Sequence, residues 1–222
     1  MKELAEHEKL EIYLLEKLKN EKFLKPLVFV GGTMLRLCHE LPRYSTDLDF
    51  WTLGKIDYPS YHKKMKGFLS EEFKLTDCEN KFNTLLYEIR SPMSGRKLKI
   101  EIRKTTGKID FEQKIAFSKH SNKQILLGSA TLEQSMKNKL EAAVSRGEIR
   151  DYFDIEFMIK IGVPFAPDEK TTGKLISGIE KFKKLDFKVK LGSVLPAELR
   201  AYYAKNGFSL LKGRLNVVMG QE

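Results

Sequence analysis

One stretch constrains the fold more than any other: an apolar run, a pair of glycines, a predicted short helix and loop, and then two aspartates two residues apart. The apolar run at 27–30 predicts a buried strand, and Gly31 and Gly32 predict a tight turn with accessible backbone N–H groups. A second strand begins at Asp47, and Asp49 leaves the same face because side chains alternate along a strand. Such a turn suits a phosphate, and neighbouring carboxylates repel each other unless a cation neutralises them.

The carboxylate pair predicts a hard divalent cation. Mg²⁺ takes oxygen ligands and usually keeps substrate phosphates in its coordination shell. The glycine pair is not followed by the Gly-Lys-Ser/Thr of a Walker A loop. An isolated Asp-Leu-Asp is more often a solvated strand end, but the preceding Val-Phe-Val-Gly-Gly-Thr favours a site for Mg²⁺ (or Mn²⁺) and a substrate phosphate.

A third acidic residue lies in a later predicted strand, 98–103. There Glu101 would share a face with Lys99 and Arg103. One interpretation is an exposed strand face with alternating charges. The other makes Glu101 a third metal-binding carboxylate, and three carboxylates can hold two Mg²⁺ ions about 4 Å apart.

The order of predicted elements indicates an α/β (α+β) fold, with a small mixed sheet flanked by helices and a mainly helical C-terminal part. Composition changes near residue 129, which predicts a catalytic domain at 1–128 and a helical domain with a basic surface at 129–222. Before that boundary, helices are predicted at 3–20, 33–40 and 58–69. Further strands are predicted at 73–76, 84–90 and 124–127.

A helix predicted from Thr131 to about Ser145 carries the next candidate residues. Its buried stripe is predicted to contain the apolar residues Leu132, Met136, Leu140 and Ala143. Lys139 and Arg146 would then lie along one border of the stripe, and Lys137 on the other. A lysine on such a border can reach a triphosphate, although a surface lysine is the simpler interpretation.

The following predicted helix, 149–161, carries two aspartates. Asp151 and Asp154 share one helix face at this spacing. Ion pairing with Arg146, Arg150 or Lys side chains in a helix–helix joint is plausible for at least one of them.

The net charge of +10 favours a polyanionic partner or an acidic protein. From residue 170 onward there are eleven Lys/Arg against four Asp/Glu, so that +7 of the +10 lies there. Aromatic side chains in this basic part could stack on bases, although packing in a core is the alternative. They are Phe182, Phe187, Tyr202, Tyr203 and Phe208.

Two features predict a cytoplasmic location. Cys38 and Cys78 have no metal-binding spacing and indicate free thiols in a reducing compartment. The charged N-terminal residues lack an apolar signal core, and no segment approaches the roughly 20 apolar residues of a membrane span.

Together these motifs resemble the DNA polymerase β-like nucleotidyltransferase superfamily and, within it, the AbiEii/AbiGii toxin family of type IV toxin–antitoxin and phage-defence systems. The matching features are Gly-Gly-Thr-x-Leu-Arg, Tyr-Ser-x-Asp-Leu-Asp-Phe, Lys-Leu-x-Ala-Ala-x-x-Arg and Arg-Asp-x-x-Asp, within residues 28–160. The resemblance implies an N-terminal nucleotidyltransferase fold, a helical C-terminal part, an NTP substrate and Mg²⁺.

The resemblance also implies roles for particular residues. The metal ligands would be Asp47 and Asp49, with Glu101 as the third candidate. The triphosphate would contact Gly31, Gly32 and Ser45, and we add Thr33, Arg36 and Arg146 as candidate nucleotide-binding residues. Lys139 would contact the nucleotide, and Asp151 would be the later catalytic acid, with Asp154 as the alternative.

The implied activity is transfer of NMP from an NTP to a hydroxyl acceptor, with RNA and notably tRNA 3′ ends as acceptor. The protein would then be an EC 2.7.7-type enzyme that acts as a toxin beside a cognate antitoxin. Two alternative functions are also possible, an enzyme with another acceptor and a binding protein. One is NMP transfer to a small molecule or a protein side chain, and the other is a catalytically inactive module that binds RNA or an antitoxin.

Overall fold

A computed structural model describes residues 1–104 and 107–220. The chain divides into two compact units, an N-terminal unit, Met1–Thr131, and a C-terminal unit, Leu132–Glu222. The N-terminal unit contains the sheet, and the C-terminal unit is helical.

The N-terminal unit is built on a seven-stranded mixed sheet with the order β3-β4-β5-β2-β1-β7-β6. The pairs β1–β7 and β2–β5 are parallel, and the other neighbours are antiparallel. The predicted α/β class with a mixed sheet flanked by helices is therefore confirmed. The strands are β1 (Leu27–Val30), β2 (Asp47–Thr52), β3 (Lys74–Asn80), β4 (Thr84–Ser91), β5 (Ser94–Arg103), β6 (Phe111–Phe117) and β7 (Gln124–Ala130).

Among the described residues of this unit, three helices flank the sheet. The helices are α1 (Lys2–Asn20), α2 (Gly31–His39) and α3 (Tyr58–Glu72). Helix α2 begins at the glycine pair itself, whereas the sequence predicted a separate turn and a helix from residue 33. Gly31 has a φ of +82°, so this residue makes the turn from β1 into the helix without a longer loop.

The alternation along β2 separates the core from the candidate site. Leu48 and Phe50 are buried, and the Phe50 ring stacks on Phe29 of β1 at 5.2 Å. Asp47 and Asp49 point to the opposite face and are half-buried. The apolar contacts on one face thus fix the direction of the two carboxylates on the other.

The C-terminal unit contains five α-helices among its described residues. They are α4 (Leu132–Arg146), α5 (Ile149–Lys160), α6 (Glu169–Lys181), α7 (Ala197–Asn206) and α8 (Ser209–Val218), with a π-helical turn at Asp186–Leu191 and a 3-10 turn at Gly192–Val194. Across the described part of the chain, no helix is long and apolar enough to cross a membrane.

An aromatic cluster forms the core of this unit. Phe208 lies 6.0 Å from Phe182, 5.2 Å from Phe187 and 5.7 Å from Tyr203, measured between ring centroids. Phe187, Tyr203 and Phe208 are buried, so the core-packing alternative describes them, whereas Tyr202 is exposed.

Candidate active site

The two aspartates of β2 are held in place by the first turn of α2. The Thr33 hydroxyl donates a hydrogen bond of 2.6 Å to the backbone carbonyl of Asp47. Thr33 is fully buried, which protects this bond from competing water. Thr33, predicted as a nucleotide-binding residue, therefore uses its hydroxyl to join the start of β2 to α2.

Asp49 lies directly against the glycine turn. A Cβ atom built on Gly31 would come within 2.5 Å of Asp49 Oδ2, and the positive φ of Gly31 also disfavours a side chain. Only glycine fits at this position. The structure therefore brings the glycine turn and one carboxylate of the predicted metal pair together.

The second glycine lies under an arginine that the sequence analysis did not include. A Cβ atom on Gly32 would collide with the Arg43 guanidinium and would lie 2.9 Å from Ser45 Oγ. Arg43 is 3% exposed, and its Nη1 donates to the Tyr44 carbonyl at 3.0 Å. Gly32, Ser45 and the positive charge of Arg43 are thus gathered beside the start of α2.

Glu101 is brought beside the aspartate pair by the parallel pairing of β2 and β5. In this register Asp49 lies opposite Glu101, and Asp47 lies opposite Lys99. Lys99 Nζ is 3.0 Å from Glu101 Oε2. The structure therefore combines the two interpretations, because Glu101 neighbours the aspartates and also belongs to a strand face with alternating charges.

Lys99 balances part of the negative charge on this face. Partial burial lowers the pKa of Lys99, but its hydrogen bond to Glu101 and the charges of Asp47 and Asp49 raise that pKa overall. The Lys99 ammonium therefore stays protonated and partly neutralises the three carboxylates.

The residues present fit a divalent cation with few protein ligands. Within residues 1–104 and 107–220, no group of three or more His, Cys, Asp or Glu side chains is arranged to hold a metal ion. Asp47 and Asp49 nevertheless present two carboxylates on one half-buried strand face. Mg²⁺ is usually bound by one or two carboxylates, with substrate phosphates and waters as the other ligands. The pair fits that kind of site.

Arg36, also predicted to bind the nucleotide, contacts the scaffold. Its Nε donates to the Glu8 carboxylate, and its Nη1 donates to the Leu41 carbonyl at 3.0 Å. Its guanidinium lies 3.9 Å from the centre of the Tyr44 ring. The other oxygen of Glu8 accepts a hydrogen bond from Ser118 at 2.5 Å. These contacts fix the loop that leads into β2.

A buried acid–imidazole pair on α1 lies close to the same loop. Glu11 is fully buried, and neither of its carboxylate oxygens has a hydrogen-bond partner among the described residues. His7 Nε2 donates to the Thr46 carbonyl at 3.0 Å and lies 3.6 Å from Glu11 Oε1. Burial, followed by the nearby charge of Glu8, raises the pKa of Glu11 well above its usual range. Burial also lowers the pKa of His7, so burial disfavours the charged form of both groups.

The remaining predicted residues form an ion cluster inside the C-terminal unit. Lys139 Nζ lies 3.0 Å from Asp151 Oδ1 and 2.7 Å from Asp154 Oδ2. Arg146 donates to both oxygens of Asp151, each at 2.7 Å. Both aspartates are fully buried. Ion pairing, which was the alternative to a catalytic role, therefore describes the contacts of Asp151 and Asp154.

The prediction that Lys139 borders the buried stripe of α4 is wrong. Lys139 is 9% exposed and belongs to the stripe, because two carboxylates of α5 neutralise its ammonium. Leu132 and Leu140, which were predicted in the stripe, are only half-buried. The buried members are Ser135, Met136, Lys139 and Ala143.

Asp151 stays ionised in this cluster. Burial alone raises the pKa of Asp151, but hydrogen bonds and charge interactions with Arg146 and Lys139 lower that pKa overall. An ionised aspartate here holds α4 against α5 through Lys139.

Solved structures share this fold. JHP933 from Helicobacter pylori aligns with a TM-score of 0.50 at 22% identity, covering 95% of each chain. A candidate nucleotidyltransferase from H. pylori aligns with a TM-score of 0.52 at 21% identity, covering 94% of this chain and 97% of that one. An antigenic nucleotidyltransferase-like protein from Paracoccidioides brasiliensis gives a TM-score of 0.49 at 17% identity, covering 89% of this chain and 97% of that one.

A match over most of the sequence identifies the family of this protein. Residues 13–200 match the family described as nucleotidyl transferase AbiEii toxin, type IV TA system. Because the match covers most of the chain, the protein belongs to this family, and the predicted family and enzyme class are confirmed. No curated protein matches the sequence.

Proposed function

We propose that this protein is a Mg²⁺-dependent nucleotidyltransferase that moves NMP from an NTP to a hydroxyl group of RNA, with a tRNA 3′ end as the acceptor. The observation that carries the proposal is the contact of the Asp49 carboxylate with Gly31, where a Cβ atom would lie 2.5 Å from Oδ2. This contact joins a phosphate-binding type of turn to a metal-binding type of carboxylate pair. Membership of the AbiEii family supports nucleotidyl transfer.

The residues of the N-terminal unit have distinct proposed roles. Asp47 and Asp49 would hold the Mg²⁺, and Glu101 is the third candidate ligand. The backbone N–H groups of the glycine turn and the Ser45 hydroxyl would contact the triphosphate. Bound Mg²⁺ would neutralise phosphate charge and polarise the α-phosphate.

The proposed reaction is a displacement at the α-phosphorus. A bond forms between the acceptor oxygen and the α-phosphorus, and the bond from that phosphorus to the leaving pyrophosphate breaks. The acceptor proton passes to a carboxylate, for which we propose Glu101, and the catalytic role of Asp151 remains a prediction. Catalysis would come mainly from positioning and electrostatic stabilisation. The nucleotide roles of Lys139 and Arg146 remain predictions.

Two positively charged side chains support this chemistry in the N-terminal unit. Arg43 lies against Gly32, where the triphosphate would bind, and we propose that its guanidinium stabilises phosphate charge. Lys99 pairs with Glu101, and we propose that it reduces repulsion among the carboxylates before the metal binds.

The test is incubation of the purified protein with labelled NTPs, Mg²⁺ and total RNA. We expect labelled RNA with the wild type, and at least a ~100-fold slower transfer with Asp47→Asn or Asp49→Asn, because each variant removes a metal-binding charge. Asp77→Asn is the matched control, since Asp77 is an exposed aspartate on strand β3. Absence of transfer by the wild type, or equal transfer by Asp49→Asn, would overturn the proposal.

The same assay separates the acceptor classes. Label in protein or in a small molecule, with none in RNA, would support the alternative acceptor. We further propose that expression of the wild type arrests growth, that Asp49→Asn relieves the arrest, and that a cognate antitoxin counteracts it.

A further inference from the structure

A basic groove lies within the C-terminal unit, between α6 and the end of α4. Its volume is about 540 Å³. Three lysines of α6, here called the groove lysines, line one side: Lys170, Lys174 and Lys181. The opposite side includes Gly147, at the end of α4, and Tyr152 of α5.

The groove lysines form a row along one face of α6. They are spaced by four and seven residues, and both spacings return to nearly the same side of an α-helix. At 1.5 Å per residue the row extends over about 16 Å. A rigid helix thus presents three positive charges in a line.

Carboxylates are absent from this groove. None of the described residues that line it is Asp or Glu, and none of the three groove lysines forms an ion pair within the described part of the chain. Other lysines of the same unit are paired with carboxylates. They are Lys139, Lys160, Lys190 and Lys212. The groove therefore offers positive charge that no carboxylate of its own lining neutralises, although the nearby charge of Asp168, just before α6, acts on Lys170.

Close packing of α5 and α6 fixes the position of this row. The Tyr152 hydroxyl lies against Gly178, so closely that a Cβ atom on Gly178 would overlap it. Tyr152 also packs edge-to-face on Phe182, with the ring centroids 5.0 Å apart. Gly173 is different, because a Cβ atom there would meet nothing within 4 Å. It leaves the groove open between Lys170 and Lys174.

We propose that the groove binds the phosphodiester backbone of a single-stranded segment of RNA. The inference rests on the proposed function for the identity of the nucleic acid, but the residues differ from those proposed for catalysis. A row of ammonium groups matches a repeating line of phosphates. An acidic protein partner would also need exposed apolar anchors, and of the two aromatic lining residues Tyr152 is 1% exposed and Phe182 is half-buried.

The first experiment removes the charge of the row. The triple variant Lys170→Gln, Lys174→Gln, Lys181→Gln is compared with a triple variant of equal charge change, Lys184→Gln, Lys188→Gln, Lys205→Gln. The control lysines are exposed in the same unit and do not line the groove. The probe is a fluorescent single-stranded RNA of twenty nucleotides, with no NTP present.

We expect the groove variant to bind this RNA at least ~10-fold more weakly and to reduce the slope of log affinity against log salt by about two, the value for three lost phosphate contacts on a single strand. The control variant should keep the wild-type slope. Equal loss in both variants would overturn the proposal, because it would show an effect of net charge alone.

The second experiment uses the open position in the groove. Gly173→Glu places a carboxylate between the groove lysines, and Gly173→Gln is the neutral control of the same size. Both should fold, since the site has space and glycine is unfavourable inside a helix. We expect several-fold weaker RNA binding for Gly173→Glu only. Unchanged binding by Gly173→Glu, at a wild-type melting temperature, would contradict the proposal.

Two further measurements separate this inference from the proposed function. Asp49→Asn should bind the RNA with wild-type affinity while lacking transfer, and the groove variant should keep the Mg²⁺-dependent stabilisation by NTP. RNA binding that is intact in the groove variant would refute the groove even if transfer occurs. Polyglutamate that competes as well as RNA at equal charge would overturn the choice of RNA and favour an acidic protein.

Discussion

At the scale of single residues, the close approach of Gly31 to Asp49 makes the position of the Asp49 carboxylate depend on the glycine turn. Gly31→Ala adds a Cβ atom 2.5 Å from Asp49 Oδ2 at a φ of +82°. We expect this variant to lose Mg²⁺-dependent NTP binding and transfer by about tenfold or more, because the carboxylate must move. Nucleotide transfer and NTP-induced stabilisation are the measurements.

Gly54→Ala is the control for backbone strain. Gly54 has a φ of +78°, and a Cβ atom there would meet nothing within 4 Å. Both variants should lose about 1–2 kcal/mol of stability from the left-handed conformation. Equal loss of activity in the two variants would show that strain, and not contact with Asp49, explains the effect.

The buried carboxylate of Glu11 predicts a pH dependence of stability. Because burial raises its pKa in the folded state above the ordinary value of 4.5, the folded protein holds a proton that the unfolded chain releases above that pH. Stability from this group is therefore lost as pH rises from 4.5 toward the raised pKa. Glu11→Gln should therefore stabilise the protein relative to wild type more at pH 7.5 than at pH 4.5.

Urea unfolding at the two pH values measures this difference. Comparing variant and wild type at each pH largely removes the contribution of His7, which both proteins share. Glu6→Gln, on the same helix but only half-buried, should show no such pH-dependent gain. A gain for Glu11→Gln that is equal at both pH values would contradict the raised pKa.

Much of the residue-level site could be predicted because its parts are close in sequence. Gly31, Gly32, Asp47 and Asp49 lie on one strand–helix–strand segment, where alternation and glycine geometry determine direction. Arg43 was missed because an arginine in a loop after a proline usually faces solvent. Its burial depends on the start of α2 lying against it, which no local pattern shows.

At the scale of elements, the pair α4 and α5 depends on the buried ion cluster. Lys139→Met removes an ammonium that neutralises two fully buried carboxylates. We expect a loss of about 3 kcal/mol in the free energy of unfolding, since breaking a buried ion pair leaves uncompensated charge. Lys137→Met, an exposed position on the same helix, should change stability by less than ~0.5 kcal/mol.

This pair of variants also tests the nucleotide role of Lys139. A structural role alone predicts lower stability of Lys139→Met with nearly unchanged NTP affinity in the folded fraction. Loss of NTP affinity at wild-type stability would instead support direct contact with the nucleotide. The sequence showed the charges of this cluster but not the pairing, because the partners lie on different helices.

Strands could be predicted from the sequence where their buried residues form a clear apolar pattern. Strands β1, β2 and β4 have apolar residues on alternating or consecutive positions, and their predicted limits agree with the structure within one residue. Strand β6 was missed. It lies at the edge of the sheet and exposes Phe111, Ile115 and Phe117, so its apolar residues do not mark a buried face.

At the scale of the whole molecule, NTP and Mg²⁺ together should stabilise the protein. At 100 times the dissociation constant, a ligand that binds only the folded state adds about 2.7 kcal/mol. For a chain of this size that corresponds to a rise of about 5–10 °C in melting temperature. Differential scanning fluorimetry with NTP and Mg²⁺, with NTP and EDTA, and with Asp49→Asn measures the effect.

Stabilisation that is equal in EDTA or in Asp49→Asn would contradict a metal-dependent site at the aspartate pair. The fold class could be predicted at this scale because the alternation of strands and helices restricts the architecture. The acceptor could not, since net charge indicates a polyanion without showing which surface binds it.

The parallel pairing of β2 and β5 has a consequence for how this protein can be modified. Parallel neighbours require a crossover, here made of α3, β3 and β4, so the chain between the two carboxylate-bearing strands can change length without altering their register. The turn between β3 and β4 carries Phe82, which is 93% exposed. A peptide tag or fluorophore inserted in that turn would label the protein while leaving Asp49 opposite Glu101.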